Sequence, residues 1–443
     1  MVRLNSVFVA IGTLAPSAFA QTCATINPAQ APTFASGYSG RVVMNGLRAP
    51  RSLVFDKQGN LLTVERDGYG VRYIQLTDNG GTNVCVKSNK QLIADSALNH
   101  GIALSVDGKK LYVSSLVSVF SYDYDGTTGT VSNKKTVVQG MTQTGHSTRT
   151  LLLPRGRPDL LLVQRGSQDN SDTAAGQIGT ARSQIRVFKI ADIERATVEY
   201  SSGAVLAWGI RNTVGVGEDG RGGIWSVDNG MDNMSRDNKD IHNTNPCEEL
   251  NFHGYVNASF TNVLPNSQTN HGYPECHSVW DPSVLPAPLN TQLKVGDTIA
   301  HGTANTASTC TNRVPPKLCF PAHTAPLDIK FNPDMSAAYI SFHGSWNRSP
   351  ADGYRLSRVA WNKATGMPVV SYYSNLQMSG AFGDLKEKDV TSTTAALNIM
   401  FNSNNANCPN SCFRPTGLAW DSKGRLFMTS DSTNEIWIIG GAT

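Results

Sequence analysis

Short apolar runs, broken by polar turns at a nearly constant spacing, make up most of this chain, and helical periodicity is scarce. Residues 52–76 read SLVFDKQGNLLTVERDGYGVRYIQL: an apolar strand, a D-x-x-G turn, a second strand ending in Thr or Ser, then a third strand. Residues 417–439, GLAWDSKGRLFMTSDSTNEIWII, repeat the same order. Further copies are GIALSVDGKKLYVSSLVSVFSYDYD at 101–125, VGVGEDGRGGIWSVDNG at 214–230 and LDIKFNPDMSAAYISFHGSW at 327–346. The remaining copy begins as TLLLPRGRPDLLLVQRGS at 150–167 and resumes after an insertion as QIRVFKI. One such unit cannot bury both faces of its small sheet, so copies must stack. Six copies predict an all-β, six-bladed β-propeller with a long capping insertion over residues 231–325. A β-sandwich with coincidentally similar turns is the alternative, and the ordered recurrence over most of the chain argues against it.

Composition refines the setting. Arg3, the apolar VFVAIGTLA and the Ala18-Phe19-Ala20 cleavage pattern predict a secretory signal peptide over 1–20, followed by one propeller domain over 21–443. Its apolar run is too short to span a bilayer. Loss of Arg3 lowers the formal charge of +4 to +3, which gives no reason to expect a nucleic-acid or membrane partner. An extracellular protein with eight cysteines points to disulfides. Sequence proximity favours pairs 23–85, 247–276, 310–319 and 408–412. Sequons stand at Asn233, Asn257 and Asn347. The third, followed by Pro350, is expected to be empty.

In a propeller the innermost strands line an axial channel, so residues just before them ring its mouth. His100, His146, Arg211-Asn212, His323 and Arg414 occupy such positions. The connections after the second strands lie beside the same mouth, and they carry Arg66, Asp228-Asn229-Gly230 and the segment FHGSWNR with His343, Trp346, Asn347 and Arg348. Each group has a plainer reading as a turn or inter-blade partner, and for His100 the two readings balance. His146, in GHSTRT with no apolar run around it, favours a functional role. Adjacent Arg211 and Asn212 would be expensive to bury unless they meet an anion. Asp123 and Asp125 read as a solvated turn, and Glu248 and Glu249 as structural. Several guanidinium forks with a histidine suit a multiply anionic ligand, while Walker and dinucleotide-binding glycine patterns are absent. The turn DNGMD offers oxygens suited to Ca²⁺.

LTVERDGYG, LNHGIAL, GHSTRTLLL, GIRNTVGV with DNGMDN, PCEELN, AHTAPLDIKF, FHGSWNR…GYRLSRV and FRPTGLAWDSKGRLFMTSD together resemble the secreted quinoprotein sugar dehydrogenases. These include the fungal pyranose dehydrogenases and the L-sorbosone dehydrogenases. The resemblance runs in order along nearly the whole chain. It implies pyrroloquinoline quinone (PQQ) and Ca²⁺ as cofactors and oxidation of pyranose or keto-aldose sugars. It also implies electron transfer to a separate acceptor such as a cytochrome or copper oxygenase. On that resemblance His146 is the base and Arg211 the electrostatic stabiliser, with Asn212 beside it. Gly230 and Met231 offer carbonyls to Ca²⁺. Arg66, His100, His343, Trp346, Asn347, Arg348 and Arg414 hold the cofactor, and His323 with Trp346 walls the sugar site. Some relatives carry a haem domain and a cellulose-binding module, and neither is expected in this sequence. The rival readings are a Ca²⁺-dependent lactonase or esterase, which would gather Asp, Asn and Glu about a metal, and a non-catalytic binding propeller with an unremarkable mouth.

Overall fold

The computed structural model describes residues 22–141, 144–256, 270–369 and 395–442. The expected leader and the sequon at Asn257 lie outside them. Six antiparallel four-stranded blades follow the six copies in order. Blade 1 is Pro50–Phe55, Leu61–Glu65, Gly70–Asp78 and Val84–Ile93; blade 2 is Leu98–Leu104, Lys110–Ser115, Val119–Asp125 and Thr130–Gln139. Blade 3 is Leu151–Leu152, Leu160–Arg165, Gln184–Lys189 and Ala204–Trp208; blade 4 is Thr213–Glu218, Gly223–Asp228, Glu248–Tyr255 and Leu318–Phe320. Blade 5 takes Pro326–Phe331, Ala337–His343, Tyr354–Asn362 and Ala396–Phe401. Blade 6 takes Pro415–Trp420, Leu426–Ser430 and Glu435–Gly440, and its outer strand is the distant Ser39–Met44. The pairing Ser39↔Gly440 through Met44↔Ile436 closes the ring.

Repeat chemistry explains the stacking. Each blade interface holds an apolar cluster shared by two neighbours, such as Leu62, Val64 and Tyr73 of blade 1 with Leu111, Val113 and Tyr122 of blade 2. The Ser or Thr that ends a second strand reaches across to the next blade's inner backbone. Ser114 Oγ donates to the Arg149 carbonyl (2.7 Å), Thr429 Oγ1 to the Arg51 carbonyl (2.7 Å), and Ser341 Oγ to the Thr416 carbonyl. Near the axis the backbones approach so closely that only glycine fits. A Cβ on Gly417 would lie 2.5 Å from the Arg51 carbonyl oxygen.

Residues 231–325 are not all capping loop, as the sequence led us to expect. Glu248–Tyr255 and Leu318–Phe320 are the outer strands of blade 4, hidden in the sequence because a long excursion rather than a D-x-x-G turn separates them. The excursion includes a hairpin pairing Cys276–Ser278 with Thr298–Ala300. Its Val279, Leu285 and Ile299 form a small core with Met231, Met234 and Ile241 of the segment before Glu248. The same architecture corrects two disulfides. Cys23–Cys85 and Cys408–Cys412 form as expected, but Cys247 joins Cys319 and Cys276 joins Cys310. Pairing of Glu248 with Phe320 and of Glu249 with Cys319 brings Cys247 alongside Cys319, so strand register decides where sequence proximity misled.

Ring closure makes one measurable demand. Trp437 is buried opposite Val42 of the closing strand, and its indole N–H reaches Glu435 Oε2 at 3.1 Å. Trp437→Ala is expected to cost about 3–5 kcal/mol, read as a lowered urea midpoint with the m-value unchanged.

Candidate active site

The turn Ile210-Arg211-Asn212 enters blade 4 and is fixed from below by Asp228. The Asp228 carboxylate accepts the backbone N–H groups of Arg211 (2.9 Å) and Asn212 (2.7 Å) and the Thr213 hydroxyl (3.1 Å). Burial nonetheless pushes Asp228 up to about 6. The Arg211 side chain, only 5 % exposed, donates at 2.8 Å each to the Gly230 carbonyl, Asn170 Oδ1 and Asp232 Oδ2. Burial alone would raise Asp232, but His323 and Arg211 against it hold it below the ordinary carboxylate value. Asp232 Oδ1 also lies 3.5 Å from His323 Nδ1 and from Asn347 Nδ2. One carboxylate thus ties together blade 4, the turn before blade 5 and the turn inside it.

His146 stands next to this cluster. Its backbone N–H donates to the Ser167 carbonyl (3.1 Å), and Ser167 N–H donates to the Arg211 carbonyl (2.8 Å), so base and guanidinium share one support. Gly166 makes the approach possible. A Cβ there would fall 2.8 Å from Asn212 Oδ1 and 2.9 Å from His146 Cβ. Burial, reinforced by Arg211, lowers His146 to about 3, so the imidazole is neutral at ordinary pH. The buried Asn212 Oδ1 has no hydrogen-bond donor among the described residues.

A second cluster, at the axial mouth, joins blades 1, 5 and 6. Asp431 accepts from Arg51 (2.8 Å) and from His343 Nε2 (2.7 Å). Burial opposes its charge, but His343 and Arg51 hold it far below the usual range. Burial draws His343 below the ordinary imidazole value against the opposing pull of Asp431, to which it donates its Nε2–H. His100 is 2 % exposed, with Nδ1 3.3 Å from Arg51 Nε and Nε2 3.3 Å from Ser52 Oγ. Arg414 Nε donates to the His343 carbonyl (2.9 Å) and its fork to the Gly344 carbonyl (3.2 Å).

The segment 343–348 bridges the two clusters, His343 meeting Asp431 and Asn347 meeting Asp232. Gly344 holds φ +91°, and a Cβ there would lie 2.2 Å from the Tyr354 ring, so the sharp exit from the strand needs glycine. Trp346 is 68 % exposed and Asn347 is buried. Arg348 turns away from both clusters, donating to the Ala322 carbonyl (3.1 Å) and lying 3.8 Å from Asp352. Arg66 is exposed, with Asp67 3.8 Å away. Met231 contributes its side chain to the small core of the capping excursion.

Glu248, read from the sequence as structural, serves the backbone here, whereas sequence reading missed Arg51, Asp232, Asp431, Ser167 and Asn170 as members of these clusters. Only Asp232 had a signal, since it ends the DNGMD turn. Glu248, 2 % exposed, orients the Gly230 peptide by accepting its N–H at 2.7 Å and that of Ala325 at 3.2 Å. Its burial raises the carboxyl from 4.5 to about 7. A folded-state value above the unfolded one means the folded chain holds the extra proton between the two, so stability falls as pH rises through that window. Without added ligand, Glu248→Gln is expected to remove on the order of 3 kcal/mol of this loss between about pH 4.5 and about pH 7, measured by urea unfolding of both proteins across that range.

Three relatives place this geometry. A PQQ-dependent sugar dehydrogenase of Hypocrea jecorina is 42 % identical over 96 % of this chain and 93 % of its own length. A PQQ-dependent pyranose dehydrogenase of Coprinopsis cinerea is 35 % identical over 91 % of this chain, which spans only 54 % of that relative. The calcium structure of a Trichoderma reesei carbohydrate-active enzyme of family AA12 superposes with a TM-score of 0.84 at 41 % identity, covering 95 % of this chain and 99 % of that one. The TrAA12-like family profile matches residues 32–442. With the six-bladed ring, the paired clusters at its mouth and that match in view, the chain belongs to the TrAA12-like family of carbohydrate-active enzymes.

Proposed function

We propose that this protein is a PQQ- and Ca²⁺-dependent sugar dehydrogenase that oxidises pyranose or keto-aldose sugars and hands the electrons to an external acceptor. The observation that carries the proposal is the neutral His146 set beside the buried Arg211 at a mouth that also holds Arg51, Arg66 and Arg414. PQQ is a planar tricarboxylate, and this donor set fits it. Arg66 and Arg414 offer forks suited to carboxylates, while the unpartnered Asn212 Oδ1 is an acceptor awaiting a donor. Carbonyls at Gly230 and Met231 are hard oxygens that suit Ca²⁺, and the Gly230 oxygen keeps a second lone pair beside its bond to Arg211.

When bound, the quinone supplies a two-electron oxidant. The chain's own residues do the rest. Neutral His146 accepts the proton of the sugar hydroxyl being oxidised. Arg211, held by Asp232, Asn170 and the Gly230 carbonyl, presents a fixed positive charge where negative charge builds, with no reorganisation at the moment of reaction. Trp346 offers an exposed ring face on which a pyranose can stack, and the buried His323 supports Asp232. His343 and His100 keep the Asp431 carboxylate and the Arg51 guanidinium in place. The carboxylates described at the mouth are each engaged by a cation or a backbone N–H, which disfavours the lactonase reading. Four disulfides fit secretion, and no helix among the described residues is long and apolar enough to cross a membrane.

Titration of the purified chain with PQQ and Ca²⁺, followed by reduction of an artificial acceptor with pyranoses and keto-aldoses, tests the proposal. Saturable PQQ binding is expected. His146→Ala should retain that affinity while turnover falls about a hundred- to ten-thousand-fold. Absence of PQQ binding by the unaltered chain would overturn the reading.

A further inference from the structure

We infer that Ser167 is a positioning residue that fixes the tautomer of His146, placing the proton on Nδ1 and leaving the Nε2 lone pair to face the mouth. This deepens the proposed function and rests on His146 being the base.

The argument is a hydrogen count. His146 Nδ1 lies 2.8 Å from Ser167 Oγ and 3.2 Å from the Ser167 carbonyl oxygen. A carbonyl oxygen only accepts, so the second contact favours a proton on Nδ1. The hydroxyl could in principle donate to a bare Nδ1, but its single hydrogen is already directed at the Asp169 carbonyl, 2.7 Å away. With that hydrogen committed, Oγ has only lone pairs to turn toward the ring. Both neighbours of Nδ1 are therefore acceptors, and a neutral imidazole satisfies them only as the Nδ1–H form.

Asp169 does not drift, because its loop is clamped. Tyr273 accepts the Asp172 N–H at 2.7 Å and lies 3.0 Å from the Asn170 carbonyl and 3.3 Å from that of Asp169. Asn170 in turn grips Arg211 and the Asp232 N–H, each at 2.8 Å. Ser167 is 1 % exposed, so water does not compete for its hydroxyl. Nε2 has no hydrogen-bond partner among the described residues and is the atom left for a substrate proton. The loop 167–172 thus sets the orientation of Arg211 and the protonation pattern of His146 together.

Nitrogen-15 NMR of the full chain labelled at its nine histidines reads the tautomer without cofactor or substrate. His146→Gln identifies the His146 signals by their loss. Unaltered protein should show a protonated, pyrrole-type Nδ1 and a pyridine-type Nε2. Ser167→Ala should move His146 toward a mixture of tautomers and lower kcat at least about tenfold, with KM and PQQ affinity unchanged. Ser167→Thr should restore both. A pyridine-type Nδ1 in the unaltered protein overturns the inference, as does an unaltered spectrum in Ser167→Ala. Should Ser167→Ala fail to fold, Ser167→Cys, whose thiol is a weak hydrogen-bonding group, gives the same readout, and an unaltered His146 spectrum in it again overturns the inference. If PQQ fails to bind, the dehydrogenase reading falls while the tautomer result still stands or falls on the spectrum.

Discussion

Taking a guanidinium out of water carries a desolvation penalty that only fixed, well-placed acceptors offset, and the mouth of this propeller is organised around that requirement at Arg211. Asp232 supplies the charge, Asn170 and the Gly230 carbonyl supply the remaining acceptors, and they come from two segments, the turn 228–232 and the loop at Asn170. To hold Asp232 in place the chain recruits His323 and Asn347; to hold Gly230 it recruits Glu248. To hold Asn170 it recruits Tyr273 from the capping excursion. Blades 3, 4 and 5 are thereby bound to one another by polar contacts above the apolar clusters that stack them.

The axial cluster obeys the same constraint with different geometry. Asp431 of blade 6 neutralises Arg51 of blade 1 and accepts from His343 of blade 5. Among the described residues the turn 343–348 joins the two clusters directly, which explains why so short a connection carries His, Trp, Asn and Arg. Its chemistry is not that of a turn. It is the span between two buried ion pairs, with Gly344 allowing the bend.

The fold was legible because its information is local. D-x-x-G turns and Ser or Thr at the end of a second strand recur within each copy, and the structure shows why. The turn aspartate accepts the N–H groups of its own loop, as Asp56 does from Gln58 and Asn60, and the hydroxyl spans to the next blade. The outer strands of blade 4 escaped because nothing local joins Glu248–Tyr255 to Leu318–Phe320. Residues at the mouth were legible where they flank inner strands, as with His146, Arg211 and Arg414. Their partners were not, since Arg51 meets Asp431 across 380 positions and Ser167 looks like any polar strand end. Arg348 sits in the same segment as His343, where its side chain also donates to the Ala322 carbonyl.

Closure of the ring by Ser39–Met44 has a consequence for the order of events during synthesis. This strand is made long before its hydrogen-bonding partner Glu435–Gly440, with five blades between them in the chain. Until then it remains an unpaired edge, and blade 1 lacks the neighbour against which Leu53, Leu61 and Ile74 pack. The native ring therefore cannot form progressively from the N-terminus. Its final stacking waits until the last strand of blade 6 has been made, and until then the nascent chain carries an open strand exposed to other chains.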